Sequence, residues 1–456
     1  MKIKLLSFFF VISLSSFAQY TNIPDINFEN KLIALGIDSG SPDHQVLTDN
    51  IDKLSSIDIS NSSITDLTGI QDFVSLTNLI CNNNQLPTLD LSKNTALKYL
   101  YCHYNALTTL DLSNNTALKY LYCRSNQLTS LNLSKNTALE NLDCHSNSLT
   151  TLNLSENTAL TDLICSYNLL TTLDITKNIT LKNLTCDNNQ FATLNTSENT
   201  TLEVLICFNN QLVTLDLSKN IALIQLTCYS NPLASLDISK NTGLVYLQCM
   251  SCPLTTLDLS MNTALQLLYC YSGSLTTLDL SKNIALKSLD CHSNSLTTLD
   301  LSKNAALAYL HCYSNQLASL NLKNGNNTIL TNMNCKSNSN LNCIQVDDVS
   351  YSNANWSTYK DAAATYNLTC PTLGLLEAGF EKIAVYPNPV KGELHIDNSP
   401  LEKATVYDAL GKLITTTKFT KNNTNNNINL AGLQNGIYYI YLENEGATIV
   451  KKILVQ

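Results

Sequence analysis

Leu97-Lys-Tyr-Leu100-Tyr-Cys102-His-Tyr-Asn105-Ala-Leu107 spaces its apolar residues as LxxLxCxxNxL, and the same frame returns every 21 residues. Cysteines stand at 81, 102, 123, 144, 165, 186, 207, 228, 249, 270, 291 and 312 without a slip. A frame this short cannot bury its leucines within one copy, so the copies must stack and share a core. The chain is therefore a solenoid, and its domain limits follow the repeats rather than its 456 residues.

The frame is the leucine-rich-repeat signature with cysteine in the third apolar slot. Each repeat has a second half, as in Leu107-Thr-Thr-Leu110-Asp-Leu112-Ser-Asn-Asn115, that buries leucines at matching offsets. The first half is expected to form the parallel strand of a concave sheet. The second is expected to return along the convex side in extended or 3₁₀ conformation, because Thr, Asp, Ser and Asn there favour turns over helix. Asn84, Asn105, Asn126, Asn147, Asn168, Asn189, Asn210 and Asn231 form a ladder suited to satisfying turn backbone inside the coil; it breaks at Cys252 and Gly273 and resumes at Asn294 and Asn315.

Outward from the array, Met1-Lys2-Ile3-Lys4, an apolar stretch from Leu5 to Leu14, and Ser16-Phe17-Ala18 read as a secretory signal peptide over 1–18. No later segment approaches the length of apolar run that spans a bilayer. Residues 19–50 read as a helical N-terminal cap, with Asp25 as N-cap, Phe28, Leu32 and Leu35 on the buried face, and Gly36 ending the helix. About fourteen coils are expected over 51–343. Cys335 follows a longer interval carrying Asn324-Gly-Asn-Asn327, and the frame is lost in a C-terminal cap over 344–371 with the lone Trp356. A linker follows over 372–381. Residues 382–456 change to short apolar runs separated by Gly392, Gly411, Asn435-Gly436 and Gly446, the pattern of a small all-β, Ig-like sandwich.

Tyr386-Pro-Asn-Pro389, Gly392-Glu-Leu-His-Ile396, Val406-Tyr-Asp-Ala-Leu-Gly-Lys412, Leu433-Gln-Asn-Gly436-Ile-Tyr438 and Lys451-Lys452 resemble the type A C-terminal sorting domain of the type IX secretion system. That resemblance implies a Bacteroidetes origin and export through the periplasm. It also implies engagement of the type IX machinery, with the passenger then released or attached to the outer-membrane surface. The cysteine-ladder repeats resemble the internalin J-like class of bacterial surface proteins, a resemblance that implies adhesion and carries over the architecture without the partner.

The net charge of -9, with no basic run, argues against nucleic acid or an anionic membrane as partner. Buried thiols acting as small hydrophobes are the expected state of the ladder cysteines. Cys343 and Cys370, in the closing segment of an exported chain, are expected to form a disulfide. Cys249-Met-Ser-Cys252 matches C-x-x-C, yet Cys249 belongs to the ladder and Cys252 fills an asparagine slot, so repeat drift explains it better than redox chemistry. Asp38, Asp43, Asp49, Asp347 and Asp348 lack the spacing of a calcium loop. Neither a metal, a cofactor nor a nucleophile with a placed base is indicated.

Residues flanking the inward leucine and cysteine of each strand should face outward. Every tyrosine between residues 84 and 322 falls in those columns. Aromatic β propensity and cross-strand stacking place rings there whatever the function. A sheet presenting tyrosine and histidine is also a ready recognition surface. Tyr99, Tyr101, His103, Tyr120, Tyr122 and Arg124 form one candidate contact cluster, and Tyr246, Tyr269 and Tyr271 another. The sequence thus reads as a secreted or cell-surface binding protein, adhesin-like and not an enzyme, that recognises a protein or glycan through its concave face. An architectural role in a surface layer or biofilm matrix is the alternative, and a thiol-based enzyme a more distant one.

Overall fold

The computed structural model describes residues 19–370, 383–397, 401–409, 411–419, 425–444 and 447–456. The signal peptide and the linker of the sequence reading fall outside the described residues. The chain divides into two compact units: one runs to Leu341 and includes Val346–Tyr366, and the other comprises Asn342–Gln345 and Asn367–Gln456.

The first unit is built on a 14-stranded parallel sheet from Ser56–Asp58 to Asn332–Asn334. Each strand is three residues long and pairs in register with its equivalent in the next coil, as in Tyr99↔Tyr120, Leu100↔Leu121 and Tyr101↔Tyr122. The middle residue of each strand, leucine except for Ile57 and Met333 at the two ends, and the residue two positions on, cysteine except for Ile59, point inward and are buried. The pairing continues past the strand, since Cys102 donates to the Tyr122 carbonyl at 2.9 Å and Tyr104 to that of Arg124 at 3.0 Å.

Two asparagine ladders lock the coils together. In the first, Asn105 Nδ2 donates to the carbonyls of Cys81 and Cys102 at 3.0 and 3.1 Å, and its Oδ1 accepts from the Leu86 N–H at 3.1 Å. The second, which the sequence reading did not single out, runs through Asn94, Asn115 and their equivalents. Asn115 Nδ2 donates to the Leu91 and Asn94 carbonyls at 3.1 and 2.9 Å. The return side is a series of tight turns such as Asn94 N–H to Leu91 C=O and Leu97 N–H to Asn94 C=O. Among the described residues 3₁₀ geometry is confined to Ile70–Asp72 and Asn327–Ile329, because the buried asparagine closes each turn before a helix can propagate.

At the N-terminal end Asp25 caps the helix Ile26–Ala34 by accepting from the Asn27 and Phe28 N–H groups. Its second oxygen accepts from Thr65 and Asp66 in the first coil, tying cap to array. Gly36, at φ +71°, ends the helix with the paired bonds Gly36 N–H to Ile33 C=O and Ile37 N–H to Leu32 C=O. Phe28 and Leu32 are buried, whereas Leu35 is exposed: it is the C-cap, past the turn that faces the core. An antiparallel pair, Tyr20–Asn22 with Gln45–Leu47, completes the cap, and Glu29 is buried where it accepts from the Asp43 and His44 N–H groups. At the other end Asp361 takes the Ser337 and Asn338 N–H groups, Asp347 those of Gly325 and Asn327, and Asp348 caps the helix Val349–Trp356. Buried Trp356 donates Nε1 to the Leu330 carbonyl.

In the second unit Cys343 and Cys370 form a disulfide with their Cα atoms 5.8 Å apart. Its antiparallel strands form a three-stranded sheet (Ala384–Tyr386, Glu393–Asp397, Asn425–Asn429) and a four-stranded one (Lys403–Asp408, Leu413–Lys418, Gly436–Asn444, Ala447–Val455). Val390, Leu394, Ile396, Val406, Ile440 and Ile453 contribute to the core between them.

Candidate binding surface

The outer face of the long sheet carries two strand columns and a third just past the strand, represented by Tyr99, Tyr101 and His103. Because neighbouring strands lie about 4.8 Å apart, rings in one column are forced into contact. Tyr99 stacks on Tyr120 with centroids 4.9 Å apart, and Tyr101 on Tyr122 at 5.0 Å and 5° between planes. Phe208 and Tyr229 stack at 4.2 Å. In each of these pairs one ring face is used within the sheet, and ring edges and phenol hydroxyls remain at the surface.

The first cluster is brought together as one patch. Beside the two tyrosine pairs, His103 packs edge-on to Tyr104, and the Arg124 guanidinium lies 5.5 Å from the same ring. Arg124 Nη1 approaches Asp143 Oδ2 at 3.5 Å, and His145 Nδ1 lies 2.8 Å from Asp143 Oδ1. Asp143, an outward column member, is nearly covered by these neighbours. Burial, then the Arg124 charge, hold the His103 pKa below its ordinary value against the pull of Asp143. Lys119 and Glu140 flank the patch as an ion pair at 2.6 Å.

The second cluster has a different centre from the one the sequence suggested. Tyr246 is exposed and has no ring partner among the described residues. Tyr269 turns instead toward Tyr309, and Tyr271 stacks on His292 at 4.4 Å, which stacks on Tyr313 at 4.2 Å. Asp290 lies among them, mostly buried, and burial raises its pKa. Tyr104 and Tyr167 belong to a turn column rather than the strand, at φ +54° and +52° among equivalents that are serine or asparagine. This left-handed conformation swings both rings to the exposed rim.

The cysteines form no reactive site. All fourteen outside the disulfide are buried as free thiols. Burial raises the pKa of both Cys249 and Cys252, the reverse of what a thiolate nucleophile requires. No group of His, Cys, Asp and Glu among the described residues is arranged to hold a metal ion.

Thirteen ladder cysteines on a parallel sheet are an unusual core, and it is shared. The functional domain of InlJ from Listeria monocytogenes, described as including a cysteine ladder, superimposes with a TM-score of 0.66 at 30% identity, covering 96% of this chain and 99% of that one. The chain belongs to the internalin J-like, cysteine-ladder leucine-rich-repeat proteins. Over 72 residues it is 42% identical to internalin J of Listeria monocytogenes serotype 4b, a stretch that is 16% of this chain and 8% of internalin J. Another internalin of that species, InlF, shares the fold at 20% identity and a TM-score of 0.58, covering 77% of this chain and 96% of that structure. Residues 384–456 match the secretion system C-terminal sorting domain. This internalin J-like chain therefore carries an export signal of the type IX system, for secretion or surface attachment. No helix of the described residues is long and apolar enough to cross a membrane.

Proposed function

We propose that this protein is an adhesin-like binding protein, displayed or released by type IX secretion, that holds a protein partner on the outer face of its long sheet. The stacked tyrosine pairs carry the reading. Glycan platforms use open ring faces, and here one face of each of Tyr99, Tyr101, Tyr120 and Tyr122 lies against a partner ring. Rigid edges and hydroxyls at low entropic cost suit a protein surface instead. A row of fourteen strands is also on the order of 65 Å long, ample for an interface of standard size.

The test is binding of the full chain to panels of host proteins and glycans, beside a variant with Tyr99, Tyr101, Tyr120 and Tyr122 changed to serine. A protein ligand bound by the parent and lost by the folded variant supports the reading. A glycan ligand, or a protein ligand indifferent to the four changes, refutes it.

A further inference from the structure

Leu142-Asp-Cys-His-Ser-Asn-Ser-Leu-Thr-Thr-Leu152 recurs unchanged at Leu289 to Leu299. The copies lie seven strands apart on one sheet, so Asp143 and Asp290 share a column, as do His145 and His292. One strand earlier each aspartate has a tyrosine as its direct neighbour, Tyr122 for Asp143 and Tyr269 for Asp290. The surroundings then diverge. Arg124 corresponds to Tyr271, and on the following strand Ile164 and Ser166 correspond to His311 and Tyr313.

Arg124 is the sole arginine of the chain. It gives Asp143 a permanent cation, laid over Tyr104 and reaching the carboxylate at 3.5 Å. Asp290 has no such partner. Its carboxylate meets the His292 N–H at 3.4 Å and the His292 and His311 rings at 3.8 and 3.7 Å, while the Tyr309 hydroxyl bonds His311 Nδ1 at 2.7 Å. Among the described residues no lysine or arginine pairs with it. Burial lowers the His292 pKa, so that ring brings little standing charge at neutral pH. The two sites also differ in cover: the Asp290 side chain is 10% exposed and that of Asp143, beneath its arginine, 3%.

A carboxylate held among rings without a cation is incompletely compensated. A guanidinium is the group that completes it, being permanently charged, weakly hydrated, matched to two carboxylate oxygens and able to lie on tyrosine. We propose that the Asp290 cluster receives an arginine side chain of the protein partner, as Asp143 receives Arg124. The inference rests on the outer face being a protein-binding surface. Tyr271, His292 and Tyr313 form one wall of the site, and Tyr269, Tyr309 and His311 the other.

The probe is N-acetyl-arginine amide, titrated into the full chain carrying ¹³C-labelled histidine and followed by NMR. The His292 and His311 resonances should shift saturably with a millimolar Kd. Asp290→Asn should weaken that response roughly tenfold, the effect of losing one charge-assisted contact. Tyr271→Arg should abolish it by supplying the cation from within. An equal response to N-acetyl-citrulline amide, an unchanged response in Asp290→Asn, or tighter binding of N-acetyl-lysine amide overturns the proposal. None of these outcomes depends on the tyrosine-to-serine test, so either reading can fail alone.

Discussion

Thr196 donates its hydroxyl to Asn220 Oδ1 at 2.7 Å, and that bond singles out Asn220 within the second asparagine ladder, that of Asn94 and Asn115. In the neighbouring coils the residue 24 positions before the asparagine is leucine or isoleucine, and Oδ1 of Asn178, Asn199, Asn241 and Asn262 is buried without a partner. The ladder is therefore built for the amide nitrogen, whose two bonds join coil to coil, and tolerates an idle oxygen. Changing Thr196 to valine keeps the shape and removes the hydroxyl's bond to Asn220 and its longer approach to the Asp216 carbonyl at 3.4 Å, which should cost about 1 kcal/mol in urea unfolding. An unchanged midpoint would show that the oxygen is satisfied otherwise.

A gain in stability is available where the first ladder, that of Asn105 and its equivalents, breaks at Cys252 and Gly273. Cys252 donates to the Cys228 carbonyl at 3.5 Å, in a slot where asparagine elsewhere donates to the cysteine carbonyls of two coils and accepts a backbone N–H. Cys252→Asn should stabilise the array by about 1–2 kcal/mol. Gly273→Asn should gain less, since a Cβ there meets Asn294 Oδ1 at 2.9 Å and the neighbour must move. Stability curves for the two variants that rank in the opposite order would refute this account.

The coil was legible because leucine, cysteine and asparagine recur at fixed offsets, and each offset has one geometric meaning. The outward columns were legible for the same reason, through strand alternation. What the columns do was not. How completely Asp143 and Asp290 are covered depends on residues 19 positions earlier, Arg124 and Tyr271, and on rotamers that alternation does not specify. Tyr104 and Tyr167 were grouped with strand residues although their column otherwise holds only serine and asparagine, types that enter left-handed turns readily, and that was the available signal. The Tyr20–Asn22 pairing escaped because a three-residue strand has too short a pattern.

The ladder thiols should be unreactive while the protein is folded. Burial pushes Cys81 and Cys335 up to about 12 and raises the others of the ladder as well. With Ellman's reagent at pH 8, the native chain should release almost no colour, and denaturant should expose all fourteen free thiols together. One fast-reacting thiol mapped to Cys249 or Cys252 would restore a thiol chemistry to that pair.

The N-terminal cap should be the acid-sensitive end of the array. Burial works to raise the Asp25 pKa, but the Thr65 hydroxyl and the N–H groups of Thr65, Phe28 and Asp66 outweigh it and hold the carboxylate below 3.8. The unfolded chain binds that proton more readily, so the stabilisation is complete above pH 3.8 and is lost as pH falls through the lower, folded value. Asp25 joins the cap helix to Thr65 and Asp66, so its protonation should release the cap before the coils behind it. Asp25→Ala should cost about 2 kcal/mol at neutral pH, the upper end for a helix cap. Hydrogen-exchange protection relative to the unfolded chain, read at Phe28, Thr65 and Asp66, should then fall in the parent below pH 3.8 and be low in the variant at every pH. If protection at these amides is unaffected by acid, the carboxylate is not what fastens the cap.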